Sequence, residues 1–397
     1  MNTVTCKLYQ LLAVIIAIGL SACSVTPADS VFSDVQQTTE PLLVVIDDPR
    51  NERRKLGAAG PGYTFQSSYD NDPALARAAK AVAEDHAVEV VTEWPLKSLN
   101  AHCLVIEKPS AQIIKSLEQD ERVRWVQPLN SFQLNIDPVD FVHSSNKDDS
   151  IANQFVSEFE ERGRNVRIGV IDTAVDSSHP ALQGSRLMTA DFVGKRGVPD
   201  SEPHGTAVVG LLAAQPNPSN PGVVGIAPES KIHAYRGCWQ EPDGPGMCNT
   251  LTLSLALDAA IEDGLDILNL SVSGPKDRVL NELTKKLVAK GTLIVAAYDE
   301  NRPVDRRFPE PQPGVIYAFG VEDAPELPDV SNVLFAPRNA ISLTPMAGYD
   351  LVSGHSIATP QLSAMAACLI ERYPNAGRKE ILQRLRHWLT QSYSAIT

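Results

Sequence analysis

The sequence is short of positive charge. Its 35 Lys and Arg stand against 48 Asp and Glu, a formal net charge of −13 over 397 residues. That deficit excludes a general nucleic-acid binder and a polybasic membrane patch, both of which need clustered cations. No second Cys/His pair stands at ligand spacing, so no zinc site is expected. No calcium loop can be identified either, and neither a metal nor a cofactor is expected. The N-terminal apolar run from Leu11 to Leu20 is too short to cross a bilayer comfortably. What is present is ordinary for a folded globular protein: 43% hydrophobic residues, and length enough for one large domain plus a smaller one.

The first residues are read as a leader and set aside from the fold. Lys7 supplies a basic start, the apolar run follows, and LSAC ends at Cys23. Small residues before a cysteine resemble the bacterial lipobox. That resemblance implies a signal peptide over 1–22 and a lipidated Cys23 as the mature N-terminus. The alternative is an ordinary signal peptide cut near Ala22, with Cys23 a plain thiol. Ser24 after the cysteine implies the outer membrane of a bacterial cell envelope. Residues 23–40 are small and polar and read as a tether. Of the other cysteines, Cys6 lies in the leader, and Cys103 and Cys368 sit in apolar runs as small core residues. Cys238 and Cys248 flank the turn-rich WQEPDGPGM. In an oxidising compartment they are candidates for a disulfide; the alternative is two unpaired thiols.

Residues 41–134 alternate short strands and helices. LLVVID (42–47), AVEVVTEW (87–94), AHCLVIE (101–107) and ERVRWVQP (121–128) read as strands, and 73–85 and 110–120 as helices. This is the β-α-β-β-α-β order of a ferredoxin-like α+β domain. Residues 52–71 fit neither element and read as an exposed loop, and the Asp-, Ser- and Asn-rich 135–150 as a linker. From 151 to 397, continuous apolar strands (166–172, 231–237, 266–272, 292–298) alternate with helical stretches. Strands that read this way are buried on both faces, so a parallel α/β sandwich is expected.

Three motifs in this second part carry chemistry. VRIGVID ends on Asp172, HGTAVVGLL opens on His204, and GHSIATP holds Ser356. A carboxylate can fix an imidazole in one tautomer, the imidazole can take a proton, and the serine needs that base to become a nucleophile. Taken singly, each residue could be a turn cap, a solvent-facing histidine or a helix-start serine. In the order Asp, His, Ser they resemble the catalytic triad of the subtilisin-like serine peptidase family. GIAPESKIHAY (225–235), ILNLSVSGP (267–275), FPEPQPGVIYAFG (308–320) and FAPRN (335–339) match further landmarks of that family.

The resemblance covers about 150–397 and implies a three-layer sandwich around a parallel sheet. It also implies a serine endopeptidase acting through an acyl-enzyme, with peptide or protein substrates. The N-terminal domain would be a propeptide-like chaperone and inhibitor. ILNLSVSGP is expected to be the edge strand that pairs with an extended substrate, through Ser271, Val272 and Ser273. The sequence departs from the family pattern at instructive places. Asp299 stands where an oxyanion-hole Asn is expected, Tyr298 replaces a glycine beside the specificity pocket, and His355 replaces a Thr before the nucleophile. Ala174 and Ser273 also replace glycines. Two ways around Asp299 are open: a protonated Asp299 donates a hydrogen bond, or His355 pairs with Asp299 and donates instead, with the Ser356 N–H as second donor; the alternative is that Asp299 points away and Asn301 or a backbone group fills the role. The alternative function is a catalytically impaired peptide-binding or regulatory lipoprotein.

Overall fold

The computed structural model describes residues 41–47, 73–134, 151–216, 223–240, 244–321 and 332–396. The leader, Cys23, the tether, the loop expected at 52–71 and the linker at 135–150 lie outside the described residues.

The N-terminal part runs β1 (Leu42–Asp47), α1 (Pro73–Asp85), β2 (Val90–Leu96), β3 (Ala101–Ile106), α2 (Ala111–Glu118), β4 (Val123–Pro128) and β5 (Ser131–Gln133). The first four strands form an antiparallel sheet in the order β2-β3-β1-β4. Strand β2 begins later than the alternation at 87–94 implies, because Ala87 turns the chain at a φ of 50° after α1. The sheet explains why β1 reads as an unbroken apolar run. Successive side chains point to opposite faces, and here both faces are covered. Val44, Ile46, Leu104 and Ile106 pack under Ala79 and Val82 of α1 and Leu117 of α2. Leu43, Val45, Val105 and Trp125 face the other way, into a core shared with Leu253, Leu257, Val279 and Leu283 of the following part of the chain.

That following part begins with α3 (Ile151–Glu158), β6 (Arg167–Asp172), β7 (Arg186–Asp191), α4 (Pro203–Ala213), β8 (Lys231–Arg236), β9 (Cys238–Gln240) and β10 (Gly246–Asn249). It continues through α5 (Thr250–Asp263), β11 (Ile267–Leu270), β12 (Gly274–Pro275), α6 (Arg278–Ala289), β13 (Leu293–Ala297) and β14 (Arg307–Phe308). It ends with β15 (Val315–Val321), β16 (Val333–Pro337), β17 (Asn339–Thr344), β18 (Gly348–Ser353), α7 (His355–Arg372) and α8 (Arg378–Ile396). Seven strands make a parallel sheet in the order β16-β15-β13-β11-β6-β8-β7. Val208 and Leu212 of α4, Leu362 and Met365 of α7 and Leu385 of α8 pack on one face. Leu253 and Leu257 of α5 and Leu280 and Leu283 of α6 pack on the other, giving three layers.

One expectation is corrected by the sheet order. The stretch 267–275 is not an edge strand: β11 lies in the middle, paired on both sides with β6 and β13. Only the residues past Leu270 leave the sheet, because Gly274 and Pro275 turn away to pair with β14. Ligand sites in open parallel sheets form outside the carboxyl ends of the strands. Asp172 ends β6, Ser271 follows β11, and Tyr298 and Asp299 follow β13.

Candidate active site

Asp172 is the last residue of β6 and is buried. Its Oδ1 accepts the Thr173 backbone N–H at 2.7 Å and meets His204 Nδ1 at 2.7 Å. Its Oδ2 is buried with no hydrogen-bond partner among the described residues. His204 is the second residue of α4, behind Pro203, whose fixed φ suits a first helical position. The helix start is tied to the Asp172 turn by two devices. Gly205 donates its N–H to Thr173 Oγ1 at 2.9 Å, and a Cβ at Gly205 would lie only 2.5 Å from the Thr173 carbonyl oxygen. Only glycine fits so close an approach. Buried Glu202, just before the helix, accepts the Ala174 N–H at 2.8 Å and two N–H groups of Arg236 at 3.0 and 2.6 Å.

Ser356 is the second residue of α7, entered through Gly354 at a φ of 136°, a conformation that glycine adopts readily. Pro360 sits one turn further on and has no N–H to give to the carbonyl four residues back, which is that of Ser356. That carbonyl instead accepts the Ser271 hydroxyl at 2.9 Å. Asn269, inside β11, donates its Nδ2 to Ser271 Oγ at 3.0 Å and accepts from Ser363 Oγ at 3.0 Å. The central strand thereby holds the turn that carries Ser356. His204 Nε2 lies 3.0 Å from Ser356 Oγ. With Nδ1–H given to the Asp172 carboxylate, Nε2 is left as the acceptor for the serine hydroxyl.

The residues expected at an oxyanion hole are arranged differently from either route drawn from the sequence. Asp299 is buried, and both its oxygens accept: Oδ1 from the Asn301 N–H at 3.0 Å, Oδ2 from Arg302 Nη1 at 2.7 Å. Both oxygens are thus taken up by N–H groups of its own turn, and the donation drawn in the first route finds no support in these contacts. His355 does not pair with Asp299, which corrects the second. Its Nδ1 accepts the Gly320 N–H at 2.8 Å, and its Nε2 lies 3.1 Å from Glu300 Oε1. Tyr298 stands against Phe319, ring centroids 5.4 Å apart, and beneath the Arg307 guanidinium, whose carbon is 4.5 Å from the ring centre.

The segment expected to bind substrate is lined by this chain itself. Strand β5 pairs antiparallel with β10, Leu134 donates its N–H to the Gly246 carbonyl at 3.0 Å, and Gln133 bridges antiparallel to Ser273. Buried Phe132 lies against Gly274 and meets Phe308 edge-on at 5.6 Å. Ser271, Val272 and Ser273 are all buried. Strand β10 is held from its other side by β9, where Cys238 and Cys248 face each other and are joined by a disulfide. Sequence reasoning missed Glu202, Asn269, Glu300, Arg302 and Arg307. Only Asn269 carried a signal, a polar residue inside the apolar run ILNLSV.

The subtilase family profile matches residues 163–395. The major intracellular serine protease of Bacillus subtilis (strain 168) is 34% identical over 229 residues, 53% of this chain and 70% of that protein. Subtilisin of Bacillus pumilus is 29% identical over 243 residues, 57% of this chain and 85% of that protein. Fervidolysin from Fervidobacterium pennivorans, a keratinolytic enzyme related to subtilisin, superposes with a TM-score of 0.62 at 18% identity, over 87% of this chain and 56% of its own. That likeness speaks to the fold. With the profile spanning more than half of the sequence and an Asp, a His and a Ser drawn together at the ends of its strands, the chain belongs to the subtilase family of serine-type endopeptidases.

Proposed function

We propose that the chain hydrolyses peptide bonds through an acyl-enzyme on Ser356, with His204 as base and then acid, and Asp172 as the group that orients His204. The observation that carries this is the unbroken line from Asp172 Oδ1 to His204 Nδ1 at 2.7 Å and from His204 Nε2 to Ser356 Oγ at 3.0 Å. Ser356 Oγ attacks the carbonyl carbon while its proton passes to Nε2. The C–N bond then breaks and the departing amine takes that proton. Water repeats the sequence on the ester and frees the serine. Asp172 stays ionised throughout and stabilises the imidazolium. On this reading the developing oxyanion is met by the backbone N–H of Ser356, in the first turn of a buried helix.

The N-terminal domain acts on this reading as an intramolecular chaperone and inhibitor. Strand β5 supports it, since it adds to β10 and reaches Ser273 as an extended peptide would. Self-cleavage falls in the 130–155 region and separates the two parts. Lipidation at Cys23 tethers the protein to the outer membrane of a bacterial envelope; an unmodified Cys23 in mass spectra of the N-terminal peptide would overturn that part.

The test of the reaction is Ser356→Ala. The variant is expected to lose fluorophosphonate labelling, self-cleavage and peptide hydrolysis, with a fall in turnover of about 10⁶, the size known for subtilisin's own serine. Hydrolysis that survives in the variant would sink the assignment. A second reading, a regulatory protein that captures peptide and barely cuts it, draws on Asp299: a carboxylate repels an oxyanion that an amide would hold. It predicts slow labelling of wild-type Ser356 and measurable peptide binding without turnover.

A further inference from the structure

Arg307 is buried, at 3% exposure, yet its Nε and Nη1 have no hydrogen-bond partner among the described residues. Buried polar groups are as a rule paired, and a buried guanidinium left with unmet donors is costly. Its surroundings explain why the donors stay open. One face lies over Tyr298 at 4.5 Å, and Tyr317 is 5.6 Å away. Aromatic rings take the faces of a guanidinium and leave its N–H edge to point elsewhere. Nη2 donates to the Arg302 carbonyl at 2.6 Å. Two carboxylates close to it in sequence are committed to other cations: Asp299 to Arg302 at 2.7 Å, and Glu310 to Lys276 at 2.9 Å. Burial pushes the Tyr317 phenol upward, and the Arg307 charge beside it pulls in the opposite direction.

The position of this charge is informative. Arg307 pairs with Pro275 in the short β12–β14 ladder, at the end of the segment that begins with Ser271, the hydroxyl bonded to the Ser356 carbonyl. Tyr298 connects it to the other wall, since the Tyr298 ring lies 6.3 Å from that of His355, the neighbour of Ser356. The acyl-side residue of a peptide, the one whose carbonyl Ser356 attacks, comes to rest beside these two walls.

We propose that Arg307 is the specificity-determining residue of the site and selects substrates whose acyl-side residue is aspartate or glutamate. A carboxylate there answers the buried charge and accepts a charge-assisted hydrogen bond from an N–H that has no partner among the described residues. A neutral amide of the same shape offers one oxygen and no charge. An aliphatic side chain leaves both donors buried and unmet. The proposal rests on Ser356 being the nucleophile.

The test uses purified full-length protein and peptides that differ only at the acyl-side residue: Glu, Gln, Asp, Asn and Leu. Wild type is expected to cleave after Glu at least about tenfold more efficiently, in kcat/KM, than after Gln. In Arg307→Gln the Glu peptide should fall to the level of the Gln peptide, while labelling of Ser356 by a neutral fluorophosphonate keeps its wild-type rate. Arg307→Lys should keep part of the preference for acid. Equal cleavage after Glu and Gln by wild type overturns the proposal. So does an Arg307→Lys variant that loses all peptides and labelling alike, since the residue would then serve the fold only. If wild-type Ser356 is not labelled at all, the peptidase reading itself fails and takes this one with it.

Discussion

Asp299 takes two N–H groups, one from the Asn301 backbone and one from Arg302, so it works as the anchor of the turn after β13. Its charge is answered by an arginine that is itself partly exposed. Asp299→Asn keeps an oxygen for the Asn301 N–H and gains an amide that can donate to an oxyanion. The expected outcome is unchanged or faster acylation. The ceiling is about 10²–10³, the cost of losing such a donor, a figure that comes from subtilisin itself. Burst kinetics with an ester substrate would measure it. A sharp loss of rate would mean that the carboxylate itself has a task in catalysis. Little stability should be lost, because an ion pair with one exposed partner is weak. The unpaired thiols belong to the same scale. Burial pushes Cys103 well above the ordinary thiol range and Cys368 up to about 12, so neither is a nucleophile at neutral pH.

At the scale of elements, the turn between α2 and β4 carries its own charge cluster. Asp120 accepts from Arg122 Nε at 2.9 Å and Nη2 at 2.6 Å, and lies 2.9 Å from His86 at the end of α1. The Arg122 guanidinium, helped by His86, holds the Asp120 carboxyl well below the usual carboxylate range. A folded-state value below the unfolded one means stability that is complete above the unfolded value, about 3.9, and is lost as the pH falls below it. The N-terminal part should therefore weaken in acid below about pH 4, and Asp120→Asn should flatten that limb. Urea midpoints followed by Trp fluorescence between neutral and acid pH would show it; an unchanged slope in the variant would rule out this source. Elements of this kind were legible in the sequence where one residue decides them. Ser110 before α2, the apolar run of β1 and the motifs around Asp172, His204 and Ser356 all name their places. What was not legible depends on neighbours far along the chain. Strand β11 lies centrally because β6 and β13 flank it, and Glu202 matters because Arg236 meets it from β8. Arg307 keeps two donors without a partner among the described residues while Arg302 takes Asp299, which no local pattern announces.

Over residues 37–397 the four-stranded N-terminal sheet lies against helices α5 and α6 of the following part of the chain. Asp258 on α5 accepts the N–H groups of Lys97 and Ser98 at 3.1 and 2.8 Å, and Asn130 donates to Thr250 Oγ1 at 3.0 Å and Asp277 Oδ2 at 2.9 Å. Phe132 is the apolar pin at the end of this contact, so Phe132→Ala should loosen β5 at a cost of about 3–5 kcal/mol, as large core deletions do. The expected result is faster fluorophosphonate labelling of the unprocessed protein; labelling no faster than wild type would show that β5 does not guard the site. A last consequence lies in Pro360. The proline breaks the helix's claim on the Ser356 carbonyl and hands it to Ser271. The serine is thus indexed to the sheet, while its helix merely carries it. Warming that lets α7 drift from β11 by a fraction of an ångström would misalign the nucleophile with every helical turn still intact. The protein should fall silent before it melts.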